Sequence, residues 1–238
     1  MLSEKKIIPG EKKHSRELLE APVTVRIKVT KTGNLQFISH LDLQRTFHRI
    51  LVRSNIPMWY TQGFNPHAKL VFGLPLSIGT QSVCEMADLR IDRKISLEEI
   101  RDQLNEQLTE EMQVLEAYYP TAKFNDISYA EYTISIKSES ISRETDIAAT
   151  ALFAAPIIMT KKSKSGEKEV DITDFIKKIE FTADEGELSV HAILSAGATE
   201  NLNPEYVVTA LKTLKFGECP VYSIMRNRVY DKYLIEFK

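Results

Sequence analysis

The sequence predicts an α+β protein in which each of two halves follows the order β-α-β-β-α-β. Three observations favour this class. Apolar and polar residues alternate near residue 23, a capped amphipathic helix follows at residue 39, and strands and helices return in the same succession after residue 126. A chain of 238 residues with 43% hydrophobic and 27% charged residues can fill one large core or two smaller ones.

The first half begins with a strand and a helix. The alternation over 23–29 predicts a half-buried strand, and after a turn residues 35–38 are expected to continue the strand pairing. Ser39 precedes a stretch of helical apolar spacing, and Asp42 stands at the third position of that stretch. This pair predicts a helix whose first turn is capped by the Ser39 hydroxyl and favoured by the Asp42 charge.

Three more strand regions and a second helix complete the first half. Ser96 and Glu99 form a capping-box pattern, which predicts the start of the second helix. Strands are expected at 58–60 together with 70–72, at 83–91 and at 112–119. This order is that of the ferredoxin-like arrangement, in which two helices cover one face of an antiparallel sheet.

The second half gives a similar order once one extra hairpin is allowed. Ser142 is expected to cap one helix, and Asn203 is expected to cap another with Pro204 at the first helical position. The strands are predicted at 127–137, 157–160, 169–172, 179–181, 188–194, 221–230 and 233–237. We therefore predict a flexible tail at 1–21 and two ferredoxin-like domains at 22–121 and 126–238. One continuous α+β domain is the alternative.

Composition excludes several classes of protein. Cys84 and Cys219 are the two cysteines, too few for a disulfide framework, a zinc knuckle or an iron–sulfur cluster, so we expect no cofactor or metal. No apolar run approaches the length of a membrane span, and the first residues lack the apolar core of a secretory signal. A cytoplasmic location is expected. The net charge of −2 argues against a general nucleic-acid binder.

Residues 39–79 concentrate side chains that can do chemistry. Arg45, Arg49 and Arg53 recur every four residues and form a basic stripe on the first predicted helix. The run 62–69 reads Gln-Gly-Phe-Asn-Pro-His-Ala-Lys, and a second loop with two glycines and a proline follows at 73–79. A basic stripe of this kind contacts phosphates in some proteins and is a solvated helix face in more of them.

Three motifs in this stretch resemble a known bacterial family. They are Ile-Ser-His-Leu-Asp at 38–42, Gly-Phe-Asn-Pro-His at 63–67 and Gly-x-Pro-Leu-x-x-Gly at 73–79. The chain is identified from them as a member of the DUF2344 family, also called radical-SAM-associated or radical-SAM-linked proteins. Ala68 and Leu74 stand where the family more often has proline, which predicts a less rigid loop.

The resemblance implies a partner rather than an activity. Family members are fused to radical SAM proteins or encoded beside them, and genes for a ribonuclease of the RNase G type and for ribosomal proteins lie nearby. The chain has no Cys-x-x-x-Cys-x-x-Cys motif to hold the cluster that cleaves SAM. The resemblance therefore implies that a radical SAM protein is the partner that performs any radical chemistry.

Candidate catalytic residues are His40, Asp42 and His67. Together with His48 they suggest an acid/base or metal site, with hydrogen bonding within the helix start and the loop as the simpler interpretation. His40 and His48 stand eight positions apart, about 12 Å of helical rise, so they do not share one metal.

Candidate binding residues are polar or basic side chains from both halves. Nearby aromatic residues, Phe64 among them, are suited to stacking on bases or to packing in the core. The predicted set of polar and basic binding residues is Arg45, Arg49, Gln62, Asn65, His67, Lys69, Arg226 and Arg228.

Two functions from different classes follow from these residues. The first is a non-catalytic accessory protein of a radical SAM system that recognises RNA or a ribosomal component. The alternative is an enzyme acting on RNA or a small substrate, with His40 and His67 as acid and base.

Overall fold

The computed structural model describes residues 16–163, 166–216 and 220–238. It is a mixed α+β fold with a mostly antiparallel sheet, as the sequence predicts, and its described part holds four α-helices. The chain divides into two compact units. The first consists of residues up to Ile78 and Val83–Thr121, and the second of Gly79–Ser82 and Ala122–Lys238. No described helix is long and apolar enough to cross a membrane.

The first unit contains four strands and two helices. Its strands follow the spatial order β4-β1-β3-β2, and the antiparallel pairs include β1 with β4 and β2 with β3. The elements are β1 (Leu18–Lys31), α1 (His40–Arg53), β2 (Leu70–Phe72), β3 (Thr80–Arg93), α2 (Leu97–Asn105) and β4 (Val114–Tyr118).

Helical spacing explains how α1 packs in the first unit. Leu43, Phe47, Ile50 and Leu51 are buried together with the inward residues of the strands, because positions three and four apart share one helix face. Burial of each such side chain stabilises the fold by roughly 1.5–3 kcal/mol. The opposite face of α1 remains available to solvent.

The second unit contains six further strands and two helices. Its principal strands follow the order β10-β5-β9-β8, all antiparallel to their neighbours, and Thr80–Ser82 pair in parallel with β10. Strands β6 and β7 form a separate hairpin. The elements are β5 (Ile127–Lys137), α3 (Thr145–Phe153), β6 (Ile158–Ser163), β7 (Gly166–Asp171), β8 (Ile176–Asp184), β9 (Glu187–Ser195), α4 (Glu205–Leu211) and β10 (Val221–Asp231).

Several local predictions are wrong. Residues 35–38 do not continue the first strand, because a 3-10 turn occupies Gly33–Phe37. Glu111 accepts from the Asn34 N–H of this turn with its carboxylate, and from the preceding Thr32 N–H with its carbonyl. Residues 58–60 make isolated bridges only, and the predicted strand at 233–237 is reduced to one bridge, between Tyr230 and Glu236.

Two helix starts also differ from prediction. The helix α3 begins at Thr145, whose hydroxyl accepts from the Ser142 N–H, so the capping bond runs opposite to the expected direction. Pro204, rather than Asn203, is the N-cap residue of α4, although the Asn203 Oδ1 accepts from the Glu205 N–H at 3.1 Å. Of the predicted tail, residues 1–15 lie outside the described part, and from Leu18 the chain is already in β1.

Candidate functional site

The start of α1 uses the predicted acid Asp42 for structure. The Ser39 Oγ accepts from the Asp42 N–H at 3.1 Å and donates to the Asp42 carboxylate at 2.7 Å. Arg45 lies 3.5 Å from the other carboxylate oxygen, in a pair whose side chains are both well exposed. The predicted helix cap is confirmed. The carboxylate of Asp42 is thus engaged by its own helix.

His40 faces a phenylalanine rather than an acid. Its Nε2 lies 3.1 Å from the Gln44 amide nitrogen one turn along α1, and its ring meets Phe72 edge-on with centroids 5.5 Å apart. Phe72 in turn packs edge-on against the buried Phe47 at 5.3 Å. His40 therefore anchors β2 against α1.

The loop after residue 60 is closed by its own polar groups. The Thr61 N–H donates to the His67 carbonyl at 2.9 Å, and the His67 N–H donates to the Thr61 hydroxyl at 3.2 Å. The His67 Nδ1 lies 3.2 Å from both the Thr61 hydroxyl and the Asn65 carbonyl oxygen. A bridge between Tyr60 and Ala68 continues this pairing. The loop 61–67 is thereby fixed in shape at its base.

His67 lies near His48 of α1. Partial burial lowers the pKa of His48 below its usual value, and the charge of His67 lowers that pKa further. Two imidazoles from separate segments thus lie close together on this surface. The sequence did not reveal this pairing, because it depends on where the 61–67 loop returns against the helix.

The predicted groups do not converge into one hydrogen-bonded centre. In the described part of the chain, His40 bonds to Gln44, Asp42 to Ser39 and Arg45, and His67 to Thr61 and Asn65. No group of three His, Cys, Asp or Glu among the described residues is placed to hold a metal ion. Each of the three candidate catalytic side chains therefore has its own set of hydrogen-bond partners.

The surface of α1 and the loop is basic and exposed. Residues 43–84 contain no Asp or Glu. Arg49 makes no ion pair with any described residue, and Phe64 at the loop tip is fully exposed. We define the α1–loop surface as Arg45, Arg49, Arg53, Gln62, Phe64, Asn65, His67 and Lys69, each of which is exposed.

Arg226 and Arg228 of β10 do not share a side of the strand, although residues two apart in a regular strand do. A β-bulge between them places Arg226 opposite Tyr132 and Arg228 opposite Glu131. Arg226 is 1% exposed, whereas the Arg228 side chain is 56% exposed. The bulge reverses the alternation that the sequence pattern assumes.

Arg228 belongs to a network that the sequence did not reveal. The nearly buried Glu131 accepts hydrogen bonds from the Tyr230 hydroxyl and from His191 Nε2, the latter at 2.9 Å, and Arg228 lies 3.6 Å away. Burial alone raises the pKa of Glu131, but these hydrogen bonds and charges outweigh burial and lower it. Only the register of β5, β9 and β10 brings these residues together, so no local sequence signal predicts them.

Comparison with models of known protein families gives a match. Residues 24–204 match the family described as "Uncharacterized protein conserved in bacteria (DUF2344)". The chain belongs to the DUF2344 family. The match spans both units of this DUF2344 protein and includes α1 and the 61–67 loop. A comparison with curated proteins finds no match.

Solved structures give distant likenesses to the DUF2344 protein. A chain in the crystal structure of a Cbf5-Nop10-Gar1 complex is 12% identical with a TM-score of 0.48, over 94% of this chain and 60% of that chain. An unknown protein from Galdieria sulphuraria is 12% identical with a TM-score of 0.22, over 87% of this chain and 99% of that chain. The DUF2344 protein thus spans 60% of the length of the matched chain in the Cbf5 complex.

Proposed function

We propose that this protein is a non-catalytic accessory protein that recognises RNA through the α1–loop surface. The observation that carries the proposal is the acid-free run of residues 43–84, which presents the exposed side chains of Arg49, Arg53 and Lys69 beside the closed 61–67 loop. Exposed cations neutralise phosphates, and amide and aromatic side chains beside them contact bases.

Local rather than global charge supports this proposal. The net charge of −2 disfavours binding to RNA over the whole molecule. Binding restricted to one basic surface is therefore expected to be moderate in affinity and to weaken steeply as salt increases.

The alternative function, catalysis with His40 and His67 as acid and base, has less support. Each imidazole is engaged by residues of its own segment, and Asp42 bonds to Ser39 and Arg45. An acid/base pair needs both groups within reach of one reacting bond. A binding role makes no such demand on their geometry.

Replacing Arg49 by glutamine is expected to weaken RNA binding and to reduce its salt dependence. If Arg49 contacts one phosphate, the slope of log affinity against log salt concentration should fall by about 0.7–0.9. Fluorescence anisotropy with a labelled structured RNA over a range of salt concentrations measures both quantities. Arg143→Gln is the matched control, because Arg143 is also highly exposed but lies in the second unit.

Two results would contradict this prediction and the function behind it. One is the absence of RNA binding by the wild-type protein at low salt. The other is equal loss of affinity in Arg49→Gln and Arg143→Gln, which would place the contact outside the α1–loop surface.

We propose a radical SAM protein as the partner that this protein serves. The proposal rests on the resemblance given by the motifs at 38–42, 63–67 and 73–79. Co-purification of the tagged chain from its own cells, with identification of bound protein and RNA, tests it. A radical SAM protein enriched with the wild-type chain is the expected result, and its absence from the bound fraction would exclude a stable complex.

We also propose that both units are variants of the ferredoxin-like arrangement, as domains 22–121 and 126–238. In support, each unit orders its strands as last, first, third and second once the β6–β7 hairpin is set aside. Two double variants test this order. Lys28→Cys with Glu116→Cys, and Thr133→Cys with Met225→Cys, each place two cysteines opposite one another on the first and last strands of a unit. We expect each pair to form a disulfide under mild oxidation, and failure of both pairs would argue against the arrangement.

A further inference from the structure

The tip of the 61–67 loop presents one aromatic ring among polar groups. Phe64 is fully exposed, whereas Phe47 is buried and Phe72 packs between Phe47 and His40. Of these three aromatic residues, only Phe64 has its ring faces free to meet a partner. Covering such a ring is favourable, because a large apolar side chain gains free energy on leaving water.

Two amides flank the exposed ring. Gln62 and Asn65 are both exposed, and within the described residues neither side chain makes a hydrogen bond. Each amide can offer donors and an acceptor at once, which is the pattern required by the edge of a nucleobase. The two amides therefore favour a ligand with a planar ring that carries hydrogen-bond donors and acceptors along its edge.

The charge around the tip favours a polyanionic ligand. Lys69 is exposed two residues beyond His67, and the run 43–84 contributes cations without any acid. A protein-binding patch is typically built around several apolar or aromatic anchors, whereas this tip has one ring within a basic, amide-rich loop. The combination of ring, amides and cations matches an unpaired nucleotide, because a paired base has no free face for stacking.

We propose that the loop tip binds an unpaired RNA nucleotide, with its base stacked on Phe64, its edge bonded by Gln62 or Asn65, and its phosphate near Lys69. This inference rests on the proposed function and names the form of RNA that the same surface selects. The bonds between Thr61 and His67 hold the loop closed before the ligand arrives, so little ordering is needed on binding.

The test compares two RNAs and three variants of the full chain. The probes are a hairpin RNA with 2-aminopurine at an unpaired loop position and a blunt duplex with the same stem sequence. We expect preferential binding of the hairpin and a change in 2-aminopurine fluorescence when it binds. Phe64→Leu should weaken hairpin binding about 5- to 150-fold and leave the salt slope unchanged, because stacking is lost and phosphate contacts remain.

Two controls separate stacking from other effects. Phe64→Trp keeps a stacking ring and should retain hairpin binding. Tyr233→Leu removes another exposed aromatic residue, in the second unit, and should change nothing. Because Phe64 and Tyr233 lie at the surface, neither change is expected to unfold the chain.

The outcomes distinguish this inference from the proposed function. Equal hairpin binding by wild type and Phe64→Leu would overturn the stacking role while leaving RNA recognition in place. Equal binding of hairpin and duplex would overturn the selection of an unpaired nucleotide. No binding of either RNA at low salt would overturn the proposed function and this inference together.

Discussion

Replacing Asp88 by alanine is expected to destabilise the protein by about 3–5 kcal/mol, because the change removes the carboxylate that faces a buried guanidinium. Arg26 of β1 is 1% exposed. Its Nε donates to one Asp88 oxygen at 2.7 Å and its Nη2 donates to the other at 3.0 Å. This two-point geometry makes the pair stronger than a single charge contact.

Urea unfolding followed by circular dichroism measures the effect. A weaker pair provides the control. Asp92 has a similar exposure to Asp88 but lies 3.9 Å from Arg93, a partner more exposed than Arg26, so Asp92→Ala should cost about 0–1 kcal/mol. The double replacement of Arg26 by methionine and Asp88 by leucine should cost less than Asp88→Ala alone, because the Arg26 guanidinium is then not left buried without this carboxylate. If the double variant is less stable than Asp88→Ala, the two side chains stabilise the fold mainly through their packing rather than through their charges.

Replacing Glu131 by glutamine is the second change with a large expected effect, about 1.5–3 kcal/mol of lost stability. The charged carboxylate accepts from Tyr230 and His191 and attracts Arg228. A neutral amide cannot accept both hydrogen bonds as strongly and offers no charge to the guanidinium. Glu187→Gln is the matched control, because Glu187 bonds to Ser135 with a more exposed side chain.

The same residue predicts a dependence of stability on pH. The pKa of Glu131 is lower in the folded chain than in the unfolded one. The contribution of Glu131 to the free energy of unfolding is therefore complete above its unfolded-state pKa, and it is lost as the pH falls through its folded-state pKa. Below about pH 4.5 the wild-type protein should lose stability with a steeper slope than Glu131→Gln. Equal slopes in thermal unfolding experiments across this range would contradict the predicted role of Glu131.

Features set by neighbouring residues could be predicted from the sequence. The helix starts at Ser39 and Ser96 are confirmed, because an N-cap bond joins residues only three apart. The strand over 127–137 is confirmed at both ends, since alternation along one strand needs no knowledge of its partners.

Features set by distant residues could not be predicted. The 3-10 turn at Gly33–Phe37 depends on Glu111, far along the chain. The separation of Arg226 from Arg228 depends on a bulge against β5, and the Glu131 network depends on the register of three strands. In the candidate site, the residue types were predictable, but the neighbours of His48 and the exposure of Phe64 required the tertiary structure.

The strand β3 is divided between the two units, which limits how the protein can be cut into separate fragments. Its first residues, Thr80–Ser82, pair with β10 and belong to the second unit, although the rest of the strand belongs to the first. A gene cut at residue 122 would therefore leave the second fragment incomplete, because Ile224–Arg226 would lose the strand residues that pair with them. A fragment meant to hold the second unit alone would instead need residues 79–82 joined to residues 122–238.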